Sequence, residues 1–236
     1  MITNSEIKLI RSLKDKKGRQ EHGLFVVEGD KMVREALDSS FRVEKVYRKD
    51  DIGEAAMARI SMLDSPSPSL AVVRIPADEG EGKYNVKEGL CLALDSVRDP
   101  GNLGTIIRLA DWFGIECIYA SEDTVDSFNP KTIQSTMGAV FRKKVIYCDL
   151  ARLCRAFSDA GRPVYGTFMD GDDIYSTDLG RDALIVMGNE ANGISGSVEA
   201  LVSRRLHIPS FAKGPTAESL NVAIATAITV SEFRRR

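Results

Sequence analysis

Apolar positions recur at two different spacings along this chain, and the changes of spacing mark its elements. Ile7, Ile10 and Leu13 keep the helical period. They predict a first helix, capped by Asn4 or Ser5, that runs to about Lys17 with a basic opposite face. Gly23 ends the connection, and residues 24–27 (Leu-Phe-Val-Val) read as a short buried strand. Gly29 turns into a second helix with Met32, Val33, Ala36 and Leu37 on its apolar side. Residues 43–47 read as a strand, 53–63 as a helix and 70–75 as a strand. Strands alternating with helices predict an α/β layer. The polar, glycine-rich stretch that begins at Pro76 reads as a linker.

The pattern then changes. Residues 90–94 (Leu-Cys-Leu-Ala-Leu) are continuously apolar, as expected of a parallel-sheet strand covered on both faces. A loop from Asp95 opens a helix over about 103–113, stopped by Gly114. Strand 115–119 follows, then a capped segment from Asn129 and Pro130. Next come strand 144–148, helix 149–160, and strands 163–168 and 183–187. A short helix near 195–203, strand 205–208 and a final helix from about Ser219 to Arg235 complete the series. The expected organisation is a small domain over 1–80, a linker over 81–89 and an α/β domain with a parallel sheet over 90–236.

Composition narrows the class. The 236 residues carry 32 basic and 34 acidic side chains, and 43% of them are hydrophobic. That is an ordinary globular mixture. The longest apolar runs are about five residues, whereas a membrane helix needs roughly 18 or more. The opening MITNSEIK lacks a signal-peptide stretch. A cytoplasmic protein is therefore expected. Cys91, Cys117, Cys148 and Cys154 form no CxxC pair, and His22 and His207 are the only histidines. Neither a zinc site nor a disulfide framework is expected. Charge is uneven: residues 1–19 hold six basic side chains against two acidic ones, residues 142–144 read Arg-Lys-Lys, and the chain ends in three arginines. On charge alone, a nucleic-acid surface and a plain solvated face both remain open.

Three loops carry the candidate chemistry. The first, DSVRDPGNLGTIIR from Asp95, follows a buried strand and opens a helix, where α/β folds bind ligands. It is neither GxGxxG nor a Walker loop, which argues against a nicotinamide dehydrogenase. Asn102 reads as a helix cap. Arg108 lies six residues further on among apolar neighbours, where a salt bridge and a functional role are both open. The second loop, MGNEANGIS from Met187, pairs glycines that permit close backbone approach with Glu190, for which Arg108 is the expected partner. Asn189 and Asn192 could also merely shape the turn. In the third segment Ser219 reads as an ordinary N-cap, while Asn221 sits in the first turn of a small-residue helix.

Taken together, DSVRDPGNLGTIIRLADWFG, IVMGNEANGIS and IPSFAKGPTAESLNVAIATAI resemble, in order and spacing, the three motifs of the SpoU (TrmH-type) RNA ribose 2′-O-methyltransferases of the SPOUT superfamily. The stretch KLIRSLKDKKGRQEHGLFVVEGDKMVREAL also resembles the accessory RNA-binding domain of the rRNA-modifying branch, a small α/β unit similar to a ribosomal-protein fold. The resemblance implies a deep trefoil knot in the C-terminal domain, a homodimer through that domain, and S-adenosylmethionine as cofactor without a metal. Carried over by position, Thr167, Gly188, Ile208 and Leu220 would hold the cofactor, with Asn189 and Leu206 nearby. Asn102, Arg108, Glu190, Ser219 and Asn221 become the polar catalytic set. Lys14, Lys16, Lys17 and Arg19 become the RNA-binding set. The implied substrate is 23S-type ribosomal RNA; a tRNA methyltransferase or a non-catalytic RNA-binding protein are the alternatives. One departure stands out: relatives commonly read Ile-Pro-Met-x-Gly where this chain has Ile208, Pro209, Ser210, Phe211 and Ala212.

Overall fold

The strands sort into one antiparallel and one parallel sheet in the computed structural model, which describes residues 2–77, 84, 86–215 and 217–235. In chain order the first elements are α1 (Asn4–Ser12), α2 (Lys16–His22), β1 (Leu24–Glu28), α3 (Asp30–Leu37), β2 (Val43–Arg48), α4 (Lys49–Ile52), α5 (Glu54–Ile60) and β3 (Ser69–Arg74). Then come β4 (Leu90–Leu94), α6 (Pro100–Trp112), β5 (Cys117–Ala120), α7 (Pro130–Thr136), β6 (Val145–Tyr147) and α8 (Leu150–Asp159). The last are β7 (Val164–Phe168), β8 (Asp172–Asp173), β9 (Ala183–Met187), α9 (Gly196–Glu199), β10 (Arg204–His207) and α10 (Val222–Arg235).

The chain divides into two compact units, and the division differs from the expected one. Residues 126–142 group with residues 1–79, not with the flanking residues of the second unit. Residues 81–83 and 85 of the expected linker lie outside the described residues, as do 78–80 before it.

In the first unit the three strands run in the order β1-β3-β2, every pairing antiparallel. One face buries Ile7, Ile10 and Leu13 with Val26, Met57 and Ile60. The other packs Phe25, Val27, Met32 and Val33 against Ile133, Val140 and Phe141 of segment 126–142. Phe25 meets Phe128 at 4.8 Å between ring centroids. Without that segment, the second face of this sheet would open to water.

The expected long first helix is two helices. Thr3, not Asn4 or Ser5, caps α1 in a capping box with Glu6, whose carboxylate accepts from the Thr3 amide at 2.8 Å. The chain turns at residues 13–15, and α2 doubles back so closely that a Cβ on Gly18 would lie 2.0 Å from the Ser12 carbonyl oxygen. This fold-back corrects the reading of Arg19. Its side chain is 2% exposed. It donates to the Leu13 and Lys14 carbonyls at 2.9 and 2.8 Å and to Asp126 at 2.9 and 2.6 Å. Arg19 therefore holds segment 126–142 and cannot reach RNA. Lys14, Lys16 and Lys17 are exposed.

The second unit is a seven-stranded sheet in the order β6-β5-β4-β9-β7-β10-β8. All its pairings are parallel. β4 and β9 are buried along their whole length, which is why their sequences are unbroken apolar runs. The terminal arginines are partly structural: Arg234 donates to the carbonyls of Phe113 and Gly114 at 2.8 and 2.5 Å, satisfying the end of α6.

Arg19→Ala strands the Asp126 carboxylate and two carbonyls. The expected loss is about 3–5 kcal/mol, the usual cost of breaking a buried pair from one side. Urea unfolding of the full chain measures it.

Candidate active site

β4, β9, β7 and β10 are neighbours and parallel, so their C-terminal ends emerge side by side. Each end delivers part of the predicted set. Asp95 follows β4, Gly188 follows β9, Thr167 is the second-to-last residue of β7, and Ile208 follows β10. Leu206 is buried and sits in register with Thr167, whose hydroxyl donates to the Val186 carbonyl at 3.4 Å.

Side chains weld the loops at these ends. The buried Asp95 carboxylate accepts the Ser195 amide at 2.7 Å. Asn189 donates its side-chain amide to the Ser96 carbonyl at 2.8 Å. Its oxygen accepts from the amides of Ala191 and Asn192 at 2.9 and 3.1 Å. Asn189 and Gly193 also exchange backbone bonds, both 2.9 Å. Asn189 therefore shapes this turn. Gly188 is required by packing: a Cβ there would sit 2.4 Å from the Gly193 carbonyl carbon. The hydroxyls of Ser96 and Ser121 bond Asp123 at 2.5 and 2.7 Å and hold its carboxyl below the usual range.

Three of the five polar candidates meet. Asp99, not Asn102, caps α6, accepting the Asn102 backbone amide at 2.8 Å. The Asn102 side chain is thereby free to bond elsewhere. It donates to Glu190 at 2.5 Å and accepts from the Asn221 side chain at 2.9 Å. Asn221, not Ser219, caps the last helix, accepting from the amides of Ala223 and Ile224 at 3.0 and 3.3 Å. α10 accordingly begins at Val222.

Arg108 and Ser219 stay outside this network. The expected Arg108–Glu190 pair is not formed, because Asn102, at the mouth of the helix, takes the carboxylate. Six residues of α-helix carry Arg108 about 9 Å further along the axis. Its apolar neighbours Ile106, Ile107 and Ala110 are buried, while Arg108 is exposed on the same stripe as Thr105 and Trp112. Among the described residues it has no ion-pair partner. Ser219 and Leu220 are exposed in the loop before α10. Asp95, Ser195 and Asp99 were missed as site-shaping residues. The available signal was a carboxylate directly after an all-apolar strand, which must find a donor when buried.

The chain matches the SpoU rRNA Methylase family over residues 89–231. It belongs to that family. Residues 4–66 match the MRM3-like substrate binding domain. The 23S rRNA (guanosine(2553)-2′-O)-methyltransferase RlmP of Bacillus subtilis is 30% identical, the alignment covering 98% of this chain and 96% of that protein. A solved TrmH-family structure from Porphyromonas gingivalis superposes with a TM-score of 0.87 at 39% identity, covering 100% of this chain and 99% of that one. The AdoMet-bound rRNA methyltransferase from Sinorhizobium meliloti gives 0.84 at 32% identity, covering 100% and 96%. The family's α/β fold with a parallel sheet is thus the fold of this chain.

Gly188→Ala forces the 188–194 loop apart. The expected effect is a loss of about 1–3 kcal/mol, as for overpacking generally, seen as a melting point lowered by several degrees in calorimetry.

Proposed function

We propose that this protein transfers a methyl group from S-adenosylmethionine to a ribose 2′-hydroxyl of 23S-type ribosomal RNA. The observation that carries the reading is the Asn102 junction. One side chain ties together the three loops that hold the family's motifs, and further along the same helix Arg108 is exposed with no ion-pair partner among the described residues.

The residues present suit the cofactor. Met187 and Gly188, Thr167, and Ile208 come from three adjacent strand ends, with buried Leu206 beneath and exposed Leu220 beyond. Backbone groups and apolar side chains of this kind suit an adenosine that bears no phosphate. When bound, the cofactor supplies an electrophilic methyl group, so the protein's work is to position the ribose oxygen. A guanidinium stays protonated in proteins, so Arg108 acts as a cation, not a base. It binds the neighbouring phosphate as a fork and stabilises the developing alkoxide. Glu190 fixes Asn102, and Asn102 with Asn221 presents the amides that orient the ribose. The Ser219 hydroxyl lies in the same loop. Requiring a 2′-hydroxyl also separates RNA from DNA.

The first unit supplies RNA affinity through Lys14, Lys16 and Lys17. A homodimer is supported by Trp112 and Ile224, 83% and 52% exposed on the adjoining helices α6 and α10. The trefoil knot is supported by the strand order: β9 inserts between β4 and β7, both earlier in the chain, and β10 then lies beyond β7. No described helix is long and apolar enough to cross a membrane, and likeness to a bacterial rRNA-modifying enzyme supports a cytoplasmic setting.

Labelled methyl transfer to ribosomal RNA, with mapping of 2′-O-methyl sites, tests the reading directly. Arg108→Ala should remain folded, with stability unchanged to within about 0.5 kcal/mol because the side chain is exposed. Its methyl transfer should fall by about 10²–10³. Arg108→Lys should not recover it, because lysine lacks the fork. A folded Arg108→Lys enzyme with a near-normal single-turnover rate would refute that role.

The triple variant Lys14→Glu, Lys16→Glu, Lys17→Glu should weaken RNA binding and flatten its salt dependence, since fewer counterions are released. Its melting temperature and cofactor affinity should be unchanged. Filter binding across a salt series reads the slope.

A further inference from the structure

We propose that Phe211 and Tyr175 form a platform on which a base of the substrate RNA stacks next to the reacting ribose. The proposal rests on the reading that this protein methylates RNA.

Phe211 is 82% exposed and Tyr175 41% exposed. Their ring centroids are 6.5 Å apart with a 30° tilt. A single exposed apolar side chain is unremarkable; two aromatic rings held side by side make a surface. Both are anchored to the strand ends of the site. Phe211 stands three residues beyond Ile208. Tyr175 follows β8, which pairs with the end of β10 through Leu206–Asp172 and His207–Asp173. Its backbone amide donates to the Asp173 side chain at 2.8 Å, and the Thr177 hydroxyl donates to the Asp173 carbonyl at 2.7 Å. The platform therefore has a rigid foot on the sheet, and Phe211 shares its loop with Ser219 and Leu220.

Two other aromatic groups are less well placed. The Phe168 ring lies under the Arg205 guanidinium, 3.6 Å from its centroid. Trp112 is ten residues along α6 from Asn102, about 15 Å away by helix rise. Arg205 is neutralised by Asp170 at 2.7 Å and Glu199 at 2.5 Å, and the exposed Lys213, two residues past Phe211, is the cation nearest in sequence for a phosphate. Unpaired bases offer π-faces of any sequence, and stacking on aromatic side chains is how proteins hold single-stranded RNA. A base gripped here fixes the sugar attached to it, which is what in-line methyl transfer demands.

The test compares Phe211→Ala, Phe211→Leu and Phe211→Trp with the wild-type protein on a methyl-accepting rRNA fragment. Absence of methyl transfer by the wild type defeats the underlying reading and not the platform. Given wild-type activity, Phe211→Ala should raise KM for RNA about tenfold or more. Cofactor affinity, melting temperature and sedimentation behaviour should not change. Phe211→Leu should resemble the alanine variant, Phe211→Trp should restore binding, and Tyr175→Ala should show a smaller rise. An unchanged RNA KM in Phe211→Ala, or wild-type behaviour of Phe211→Leu, overturns stacking. Loss of cofactor affinity alone makes the pair a cover for the cofactor, and dissociation of a dimer makes it a subunit contact; either result overturns the proposal.

Discussion

A side-chain amide can donate and accept at once, and the site depends on Asn102 doing both. Its nitrogen reaches Glu190 in the loop after β9, and its oxygen takes the Asn221 amide at the start of α10. These segments lie 88 and 119 residues away along the chain. Asn102 is available only because Asp99 satisfies the helix end in its place. An aspartate at Asn102 could not donate to Glu190 and would set two carboxylates against each other. A leucine there would leave Glu190 and Asn221 unpaired. Pairwise selection of this kind explains why an uncharged residue sits where three loops converge.

The same logic of satisfied groups governs the first unit. Burying a guanidinium is costly unless its donors are met, and Arg19 meets four acceptor contacts across Leu13, Lys14 and Asp126. That arrangement links the α1–α2 turn to a segment more than a hundred residues later. Phe128, Ile133 and Phe141 then complete a core begun by Phe25 and Val27. The first unit is therefore not a bead ending at a linker: part of its core is supplied from between β5 and β6.

Much of the parallel sheet was legible because β4 and β9 are apolar without interruption, and the three motif loops follow strands as expected. The errors were local, and each has a cause. Helix caps shifted by one to three residues: Thr3 replaced Asn4, Asp99 replaced Asn102 and Asn221 replaced Ser219. Several cap-forming residues are adjacent in each case, and only geometry decides among them. The fold-back at Gly18 depends on a close approach between helices, which periodicity does not encode. Arg19 looked like its neighbours Lys16 and Lys17 because charge in a sequence carries no information about burial. The first sheet looked like an ordinary α/β layer, but the direction of its strands is set by β3 pairing between β1 and β2. The membership of 126–142 was hidden because it depends on contacts far apart in the chain. Pairing by charge placed Glu190 on Arg108, whereas its carboxylate accepts from Asn102, because opposite charge in a sequence does not say which donor lies within reach.

What the fold uses and what it leaves unused separate cleanly at this site. Asp95, Asn189 and Gly188 are consumed in holding loops together; their replacement changes structure first and chemistry by consequence. Arg108, Ser219 and Phe211 stand exposed, contribute little to packing, and still lie on the helix and loop that the Asn102 junction fixes in place. Arg108 has no ion-pair partner among the described residues and lies opposite the buried side of its helix, so its charge adds little to stability. An exposed charge of this kind is solvated by water and contributes little to the fold. The rigid part of the site, the junction of Asn102 with Glu190 and Asn221, fixes the start of the helix that carries Arg108.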